Sequence, residues 1–476
     1  MSSSRKIDII CIVALILTVA FTVLFMFGKK IGITGVVDED AEGYEGTDYF
    51  TSNDQDEKVN MDFAVTVTLN KTSAKISGNG AYFNDGNLYI SGGGVYEITG
   101  ELTDGSIIVD AYNSSKVWLI LNNADIYCSD DAAIRVDQAD KVFIHLAEGS
   151  SNTLASGDTY SETAKADNTG GVIYSHDDLT IKGSGRLEIT AAYKHGIDAN
   201  DSLHITGGTI SITSVADAIH VNEEFNYTGA DLTIDAGDDG IHSDTQINIL
   251  GGNIQINNCY EGLEAVTIYM ADGELVVYPS DDGLNANGNR TGSFGGFGRM
   301  GRNSEAEEDS EQTETGDDEE TYIRIDGGTI TVINSAAMDA DGFDSNGSIY
   351  INGGVIRISM TGSGSNCALD YGSENGGIAE ISGGTVIACG SYSMAEGFDS
   401  SSTQCSIMYG ISAGVDAGTT ISLVDSEGNT LRNGLQLLSE LSFPTLNVGA
   451  NTVTVSVTGS SVTFTELQIS ARSRWR

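Results

Sequence analysis

Proline is almost missing from this chain, with 2 residues in 476. Basic residues are scarce too, 23 Lys and Arg against 68 Asp and Glu, and cysteine numbers only 6. Each shortage excludes something. So little proline rules out collagen and Pro-rich linkers. A formal charge of -45, with no stripe of Lys and Arg to release counterions, excludes a nucleic-acid partner and makes cations the expected company. Cys11 lies in an apolar run, and the remaining Cys128, Cys259, Cys367, Cys389 and Cys405 are odd in number without a CxxC spacing. Neither a disulfide framework nor a zinc site is expected, and buried free thiols are. Glycine, by contrast, reaches 59 residues, and 40% of the chain is hydrophobic. Abundant Gly with almost no Pro suits strands paired on both sides, which tolerate Gly at corners but cannot spare an N–H.

The stretch from Ile9 to Phe27 is apolar but for Thr18 and Thr22, with Arg5, Lys6, Lys29 and Lys30 at its ends. At about 1.5 Å per helical residue it matches a hydrocarbon core of roughly 30 Å. No small-x-small cleavage site follows, so the expectation is an uncleaved, single-pass transmembrane signal anchor in the cell membrane, with the bulk of the chain extracellular. Acids crowd between Asp38 and Glu57 and again between Glu305 and Glu320, the second run following the Gly-Arg segment Thr291–Arg302. Both read as solvated segments: a linker off the membrane, and an insert between two regular repeats.

A short motif then recurs at fixed spacing: Gly196-Ile197-Asp198, Ala218-Ile219-His220, Gly240-Ile241-His242, Gly262-Leu263-Glu264 and Gly283-Leu284-Asn285, at intervals of 22, 22, 22 and 21. Beyond the insert it returns at Gly342, Ala368 and Gly397. Every unit adds two alternating apolar segments around a Gly-Gly-like corner, so three short strands per unit are predicted. Helical solenoids need an i, i+3, i+4 pattern that is not there, and leucine-rich repeats need a fixed Asn or Cys. The predicted fold is all-β: a right-handed parallel β-helix of about 22 residues per coil, with a C-terminal β cap and an N-terminal transmembrane helix. The implied organisation is 1–30 stub and anchor, 31–61 acidic linker, 62–410 β-helix interrupted by the insert 287–321, and 411–476 cap. Ile197, Ile219, Ile241, Leu263, Leu284, Phe343, Leu369 and Phe398 are predicted to form one internal stack.

In such a fold equivalent residues on successive coils lie about 4.8 Å apart, so columns can be read directly. The position before the motif Gly gives His195, Asp217, Asp239, Glu261, Asp282, Asp341, Cys367 and Glu396. Two residues after the Gly stand Asp198, His220, His242, Glu264, Asn285, Asp344, Asp370 and Asp399. Carboxylates stacked this way repel and call for a counterion, and calcium suits oxygen ligands held at that spacing. The candidate ligands are Asp239, Glu261, Glu264, Asp281, Asp282, Asp339, Asp341 and Asp344. His220 and His242 are alternatively transition-metal ligands, though imidazoles stacked without thiolates are more often structural. Another column reads Thr180, His204, Asn226, Asn248, Tyr269, Arg324, Tyr350 and Glu380. Tyr269, Arg324 and Tyr350 are its candidate sugar platform, rings stacking on apolar sugar faces and Arg pairing with a uronate carboxylate.

The segments Gly94–Gly100, Asp104–Asp110, Lys141–Gly149 and Asp177–Ile181, together with the DDGI-like coils, the GGFG insert and Gly418–Leu423 before an Asp-Ser-Glu-Gly turn, resemble a bacterial cell-surface carbohydrate-binding-domain family whose β-helix is polysaccharide-lyase-like, in the manner of pectate lyases. That resemblance implies binding of cellulose or acidic, polygalacturonate-like plant polysaccharide, bound calcium, and no firmly expected catalysis. His220 and His242 depart from the acids or small residues more typical there. Two other classes compete: a calcium-dependent polysaccharide lyase, for which Lys194 is the sole candidate base, and an adhesin or structural protein without sugar chemistry.

Overall fold

The computed structural model describes residues 49–287, 321–334, 340–360, 366–391 and 395–404, and after them the strands Ser406–Val415, Thr420–Val424, Ala450–Val457 and Glu466–Ser470. Ile9–Phe27, most of the acidic linker, nearly all of the insert, Asp339 and Cys405 lie outside the described residues. Among the described residues no helix is long and apolar enough to cross a membrane.

Among the described residues, the body from Ser52 onward is built of strands with only single-turn helical pieces, and its sheets are mostly parallel, as in a β-helix. One coil shows why. His195–Ala199, Leu203–Ile205 and Thr209–Ser214 follow one another, and each pairs in parallel with its counterpart about 22 residues on, Ile219–Val221, Glu224–Tyr227 and Asp231–Asp235. In Thr209–Ser214 the period-two pattern buries Ile210 and Ile212 and turns Ser211 and Thr213 outward. Every inward Ile or Leu meets its equivalent above and below, and each buried side chain contributes about 1.5–3 kcal/mol.

The predicted stack is present. Ile197, Ile219, Ile241, Leu263, Leu284, Phe343 and Leu369 follow in unbroken register, and Phe398 packs against the same core. It also runs further back than the motif reveals, through Ile173, Ile134 and Ile107 to Leu88. Strand pairing continues across the insert, Thr267–Met270 with Tyr322–Ile325 and Leu284–Ala286 with Phe343–Ser345.

Glycine is required at two places in the coil. A Cβ on Gly240 would come within 2.6 Å of the Gly262 carbonyl oxygen and 2.7 Å of Ile256 Cδ1, so the motif Gly permits close approach of successive turns. Gly208 at the corner has φ of 102°, a left-handed conformation that side chains resist. At the chain-start end, Lys116–Cys128 pairs with both Lys141–Leu146 and Ser151–Ser156, so two ladders begin as one strand. Asn123, with φ of 59°, marks the bend.

Both ends turn antiparallel, which protects the terminal edges. Val65–Lys71 pairs with Ala74–Ser77, and Thr385–Gly390 pairs with Ala450–Val457, itself paired with Ser406–Val415. Cys128, Cys259, Cys367 and Cys389 are free and buried. One expectation is overturned at the end of the acidic linker. Ser52–Gln55 forms a helical turn whose Asp54 is 0% exposed, where a solvated carboxylate was expected.

Candidate functional site

Two outward surfaces carry the chemistry. The first is the edge formed by the motif strands and the turns before them. Backbone pairing places Asp198, His220, His242, Glu264, Asn285, Asp344 and Asp370 in one row. The turn residues are held by a second device, invisible in the repeat: Asp217, Asp239, Asp282 and Asp341 each accept a hydrogen bond from the next coil's backbone N–H. Asp217 Oδ1 accepts from Asp239 N at 3.1 Å, Asp239 Oδ1 from Glu261 N at 3.1 Å, Asp282 Oδ1 from Asp341 N at 2.6 Å, and Asp341 Oδ1 from Cys367 N at 2.7 Å. Asp217, Asp239, Glu261 and Asp282 are all less than a tenth exposed, so this edge is not simply a solvated acidic surface.

The row divides by what faces the carboxylates. On the earlier coils the imidazoles of His195, His220 and His242 stack with centroids 4.7 and 4.8 Å apart. Asp217 Oδ2 lies 3.0 Å from His220 Nδ1 and 3.3 Å from His195 Nδ1. Burial disfavours ionised Asp217, but the close approach of His195 and the hydrogen bond with His220 prevail and hold the carboxyl well below the usual range. His242 places Nδ1 2.9 Å from Glu264 Oε2 and 3.7 Å from Asp239 Oδ2, with Nε2 3.1 Å from Asp244 Oδ1. Against burial, those carboxylates push His242 up to about 12. One imidazolium thus serves two acids, so Glu264 is lowered, against burial, by its hydrogen bond with His242 while burial pushes Asp239 up to about 8.

On the later coils no histidine stands in the row. Burial, then the charges of Glu264 and Asp239, push Glu261 up to about 9, and Asn285 Nδ2 donates to its Oε2 at 2.8 Å. Asp282 is raised well above its usual range by burial and then by Asp344, Asp341, Glu261 and Asp281. Of the predicted ligands, Asp239 and Glu264 gather around His242 with ligand atoms within 4.8 Å of one another, while Asp281, Asp341, Asp344 and Glu261 lie near enough to Asp282 for their charges to raise it without forming such a close group among the described residues. The atoms of His195, Asp217 and His220 also lie within 4.8 Å of one another, as do those of Asp341, Cys367 and Asp370. Cys367 donates to Asp341 Oδ1 at 2.9 Å and burial pushes its thiol up, so it is a thiol rather than a thiolate ligand. Hard oxygen ligands dominate the later coils, which suits calcium and not a softer metal.

The second surface is the outward row of the middle ladder. Thr180, His204, Asn226, Asn248, Tyr269, Arg324, Tyr350 and Glu380 follow in register as the spacing predicts, the first four buried and the last four at least partly exposed. The row also runs further back, through Phe143 and Trp118, whose rings stack at 4.9 Å. Sequence reading missed these because the repeat motif starts after them, although Lys141-Val142-Phe143 carries the same alternation. Arg324 lies over the Tyr269 ring at 5.7 Å. Its guanidinium is engaged by Asp326 through Nε at 3.0 Å and Nη2 at 2.9 Å, so a ligand carboxylate there has to compete with a bidentate partner. Lys194 sits half-buried at the turn beside His195.

Comparison with known proteins gives three findings. A family model described as carbohydrate-binding domain-containing protein matches residues 84–364, more than half of the chain. A carbohydrate-binding domain-containing protein of Acetivibrio thermocellus is 38% identical over 120 residues, 25% of this chain and 42% of that relative's length. The solved structure of a polysaccharide lyase-like protein from C. thermocellum, a gadolinium derivative, is similar over 70% of this chain and 98% of its own, at 22% identity and a TM-score of 0.40.

Proposed function

Because the chain belongs to the carbohydrate-binding domain-containing protein family, we propose that it is an extracellular polysaccharide-binding protein without catalytic activity, held to the cell membrane by Ile9–Phe27. Its ligand is cellulose or an acidic, uronate-containing plant polysaccharide, met along the outward row of a right-handed coil. The observation carrying this is the in-register run of Tyr269, Arg324 and Tyr350 on consecutive coils. Two rings flanking a guanidinium on a rigid sheet present stacking faces and a cation at the repeat of the fold. Calcium belongs to the same reading. Glu261, Asp281, Asp282, Asp341 and Asp344 would hold it, since their crowding raises the buried carboxyls and no imidazole stands in that part of the row. When bound, the ion supplies the positive charge that lets these acids ionise and an anionic glycan approach.

The test is a polysaccharide panel, cellulose and polygalacturonate included, run with and without chelator while absorbance reports unsaturated uronides. Binding without product is expected, with Tyr269→Ala and Tyr350→Ala each weakening it about tenfold, ~1.4 kcal/mol. Product formation would instead select a lyase, and absence of both an adhesin or structural protein.

A further inference from the structure

The outward face of the middle ladder has a second cationic place beside that row, and the chain itself occupies it. Lys141 and Lys182 are 7% and 3% exposed, in a protein whose net charge is -45. Lysines are almost never so buried unless paired. Both ammonium groups lie over the Phe143 ring, at 5.7 and 5.3 Å, and Trp118 of the paired strand stacks on that ring. The partner that satisfies them comes from outside the coils. Asp54, fully buried, sets Oδ1 3.0 Å from Lys141 Nζ and accepts from Thr180 Oγ1 at 2.5 Å, with Oδ2 3.8 Å from His204 Nδ1. The backbone of the same turn completes the contact. Thr206 Oγ1 donates to the Asp54 carbonyl at 2.6 Å, and Lys182 Nζ donates to the Asp56 carbonyl at 2.8 Å and to that of Asn53. Burial opposes the charge on Asp54, yet Lys141 prevails and holds the carboxyl down at about 2.

Three features make this occupant replaceable rather than integral. Ser52–Gln55 is a single helical turn, too short to persist by its own hydrogen bonds. It adds no strand to the ladders: Lys141–Leu146, Leu179–Gly183 and Leu203–Ile205 pair with one another regardless. A cavity of about 270 Å³ opens beside it, lined by Asp54, Asp56, Lys182, Thr206, Gly207 and Gly208. What the turn presents is one carboxylate and a set of oxygen acceptors next to an aromatic face. A uronate sugar carries the same groups in a compact ring: a carboxylate for Lys141 and Thr180, hydroxyl oxygens for Lys182 and Thr206, and an apolar face for Phe143 and Trp118.

We propose that Lys141, Lys182, Thr180 and Thr206 form a uronate-binding seat that Asp54 fills in the free protein, so that an acidic polysaccharide enters by displacing the Ser52–Gln55 turn. This rests on the polysaccharide-binding reading and adds to it a second subsite and a built-in competitor. Through Thr180 the seat joins the same row as Tyr269, Arg324 and Tyr350, several coils away. A long glycan would gain both at once, whereas a short one would have to overcome Asp54 unaided.

The experiment is titration of the full chain, in calcium, with a galacturonate trimer and with polygalacturonate. Asp54→Ala and the milder Asp54→Asn are compared with wild type and with Lys141→Met/Lys182→Met. The trimer should bind Asp54→Ala at least tenfold more tightly than wild type, and the gain should vanish when both lysines are also replaced. Hydrogen exchange on unmodified protein supplies a readout that does not depend on a variant folding: the trimer should raise the exchange of amides 52–57. Equal trimer affinity in all variants, or protection of those amides, while polygalacturonate still binds wild type, would overturn the seat and leave the polysaccharide reading standing. No glycan binding by any variant would overturn both.

Discussion

The acidic edge contains two answers to one electrostatic problem. Coils around Asp217 and coils around Asp282 bury carboxylates in the same row, with the same backbone N–H donated to each from the next coil. Around Asp217 the chain supplies its own imidazole partners, in His195 and His220, and the carboxyl is held low. Around Asp282 the neighbours are Asp344, Asp341, Glu261 and Asp281, and it is pushed high. A repeat therefore conserves geometry without conserving charge balance. Where imidazoles are enough for the carboxylates, as at Asp217, the edge is self-sufficient, and where they are too few or missing, a proton or an external cation has to complete it.

The largest expected effect lies on the self-sufficient side. Asp217→Asn leaves His195 and His220 without their shared anion and should cost about 3 kcal/mol, the scale for breaking a buried pair. Denaturant unfolding should show that loss undiminished by added calcium. A loss that calcium repairs would mean the two regions do not differ as described.

Calcium should act on the other side. A site through Glu261, Asp282 and Asp341 exists only in the folded chain, so calcium at a hundredfold excess over Kd should stabilise by about 2.7 kcal/mol. Glu261→Gln should remove most of that response. An identical melting curve in calcium and in chelator would leave protons as the only compensation there.

The pH dependence in chelator sharpens the contrast and should be smaller. Glu261 is raised from 4.5 to about 9. Such a carboxyl favours folding in its protonated form, so its contribution is present below about pH 4.5 and is lost as pH rises toward 9. Asp217 has the opposite sign: lowered below 3.8, it stabilises above that pH and loses the contribution as pH falls. Melting temperature in chelator should therefore decline from pH 5 to 9, and Glu261→Gln should flatten the decline.

The smallest effect is expected from removing residues 288–320. They separate Leu284–Ala286 from Tyr322–Ile325, whose pairings with neighbouring coils are complete on both sides. Long surface insertions add little closure entropy, so the melting temperature should stay within a few degrees. A larger drop would make the insert part of the uncompensated region's support.

The strand ladders, the internal stack and both outward rows were legible because side-chain direction has a period of 2 and the coil a period near 22. Those two numbers place Tyr269 beside Arg324 across an insert of more than thirty residues without reference to any contact. Legibility stopped at three kinds of fact. The first coils, with Trp118 and Phe143, were missed because one long strand, bent at Asn123, precedes the regular repeat. That Arg324 is already engaged by Asp326 depends on rotamers, which spacing does not specify.

Asp54 is the clearest case of the third kind. By composition it belongs to a solvated acidic run, yet it is buried against Lys141 and Thr180, the latter 126 residues away. Sequence by itself determined what repeats: the coil, its core, and the order of chemical groups along each face, because backbone pairing is local and periodic. Only the tertiary structure decided which carboxylates meet an imidazole, which meet one another, and which lysines receive the chain's own acid. Those outcomes depend on a few ångströms of side-chain placement, where Coulomb energy and desolvation change steeply with distance.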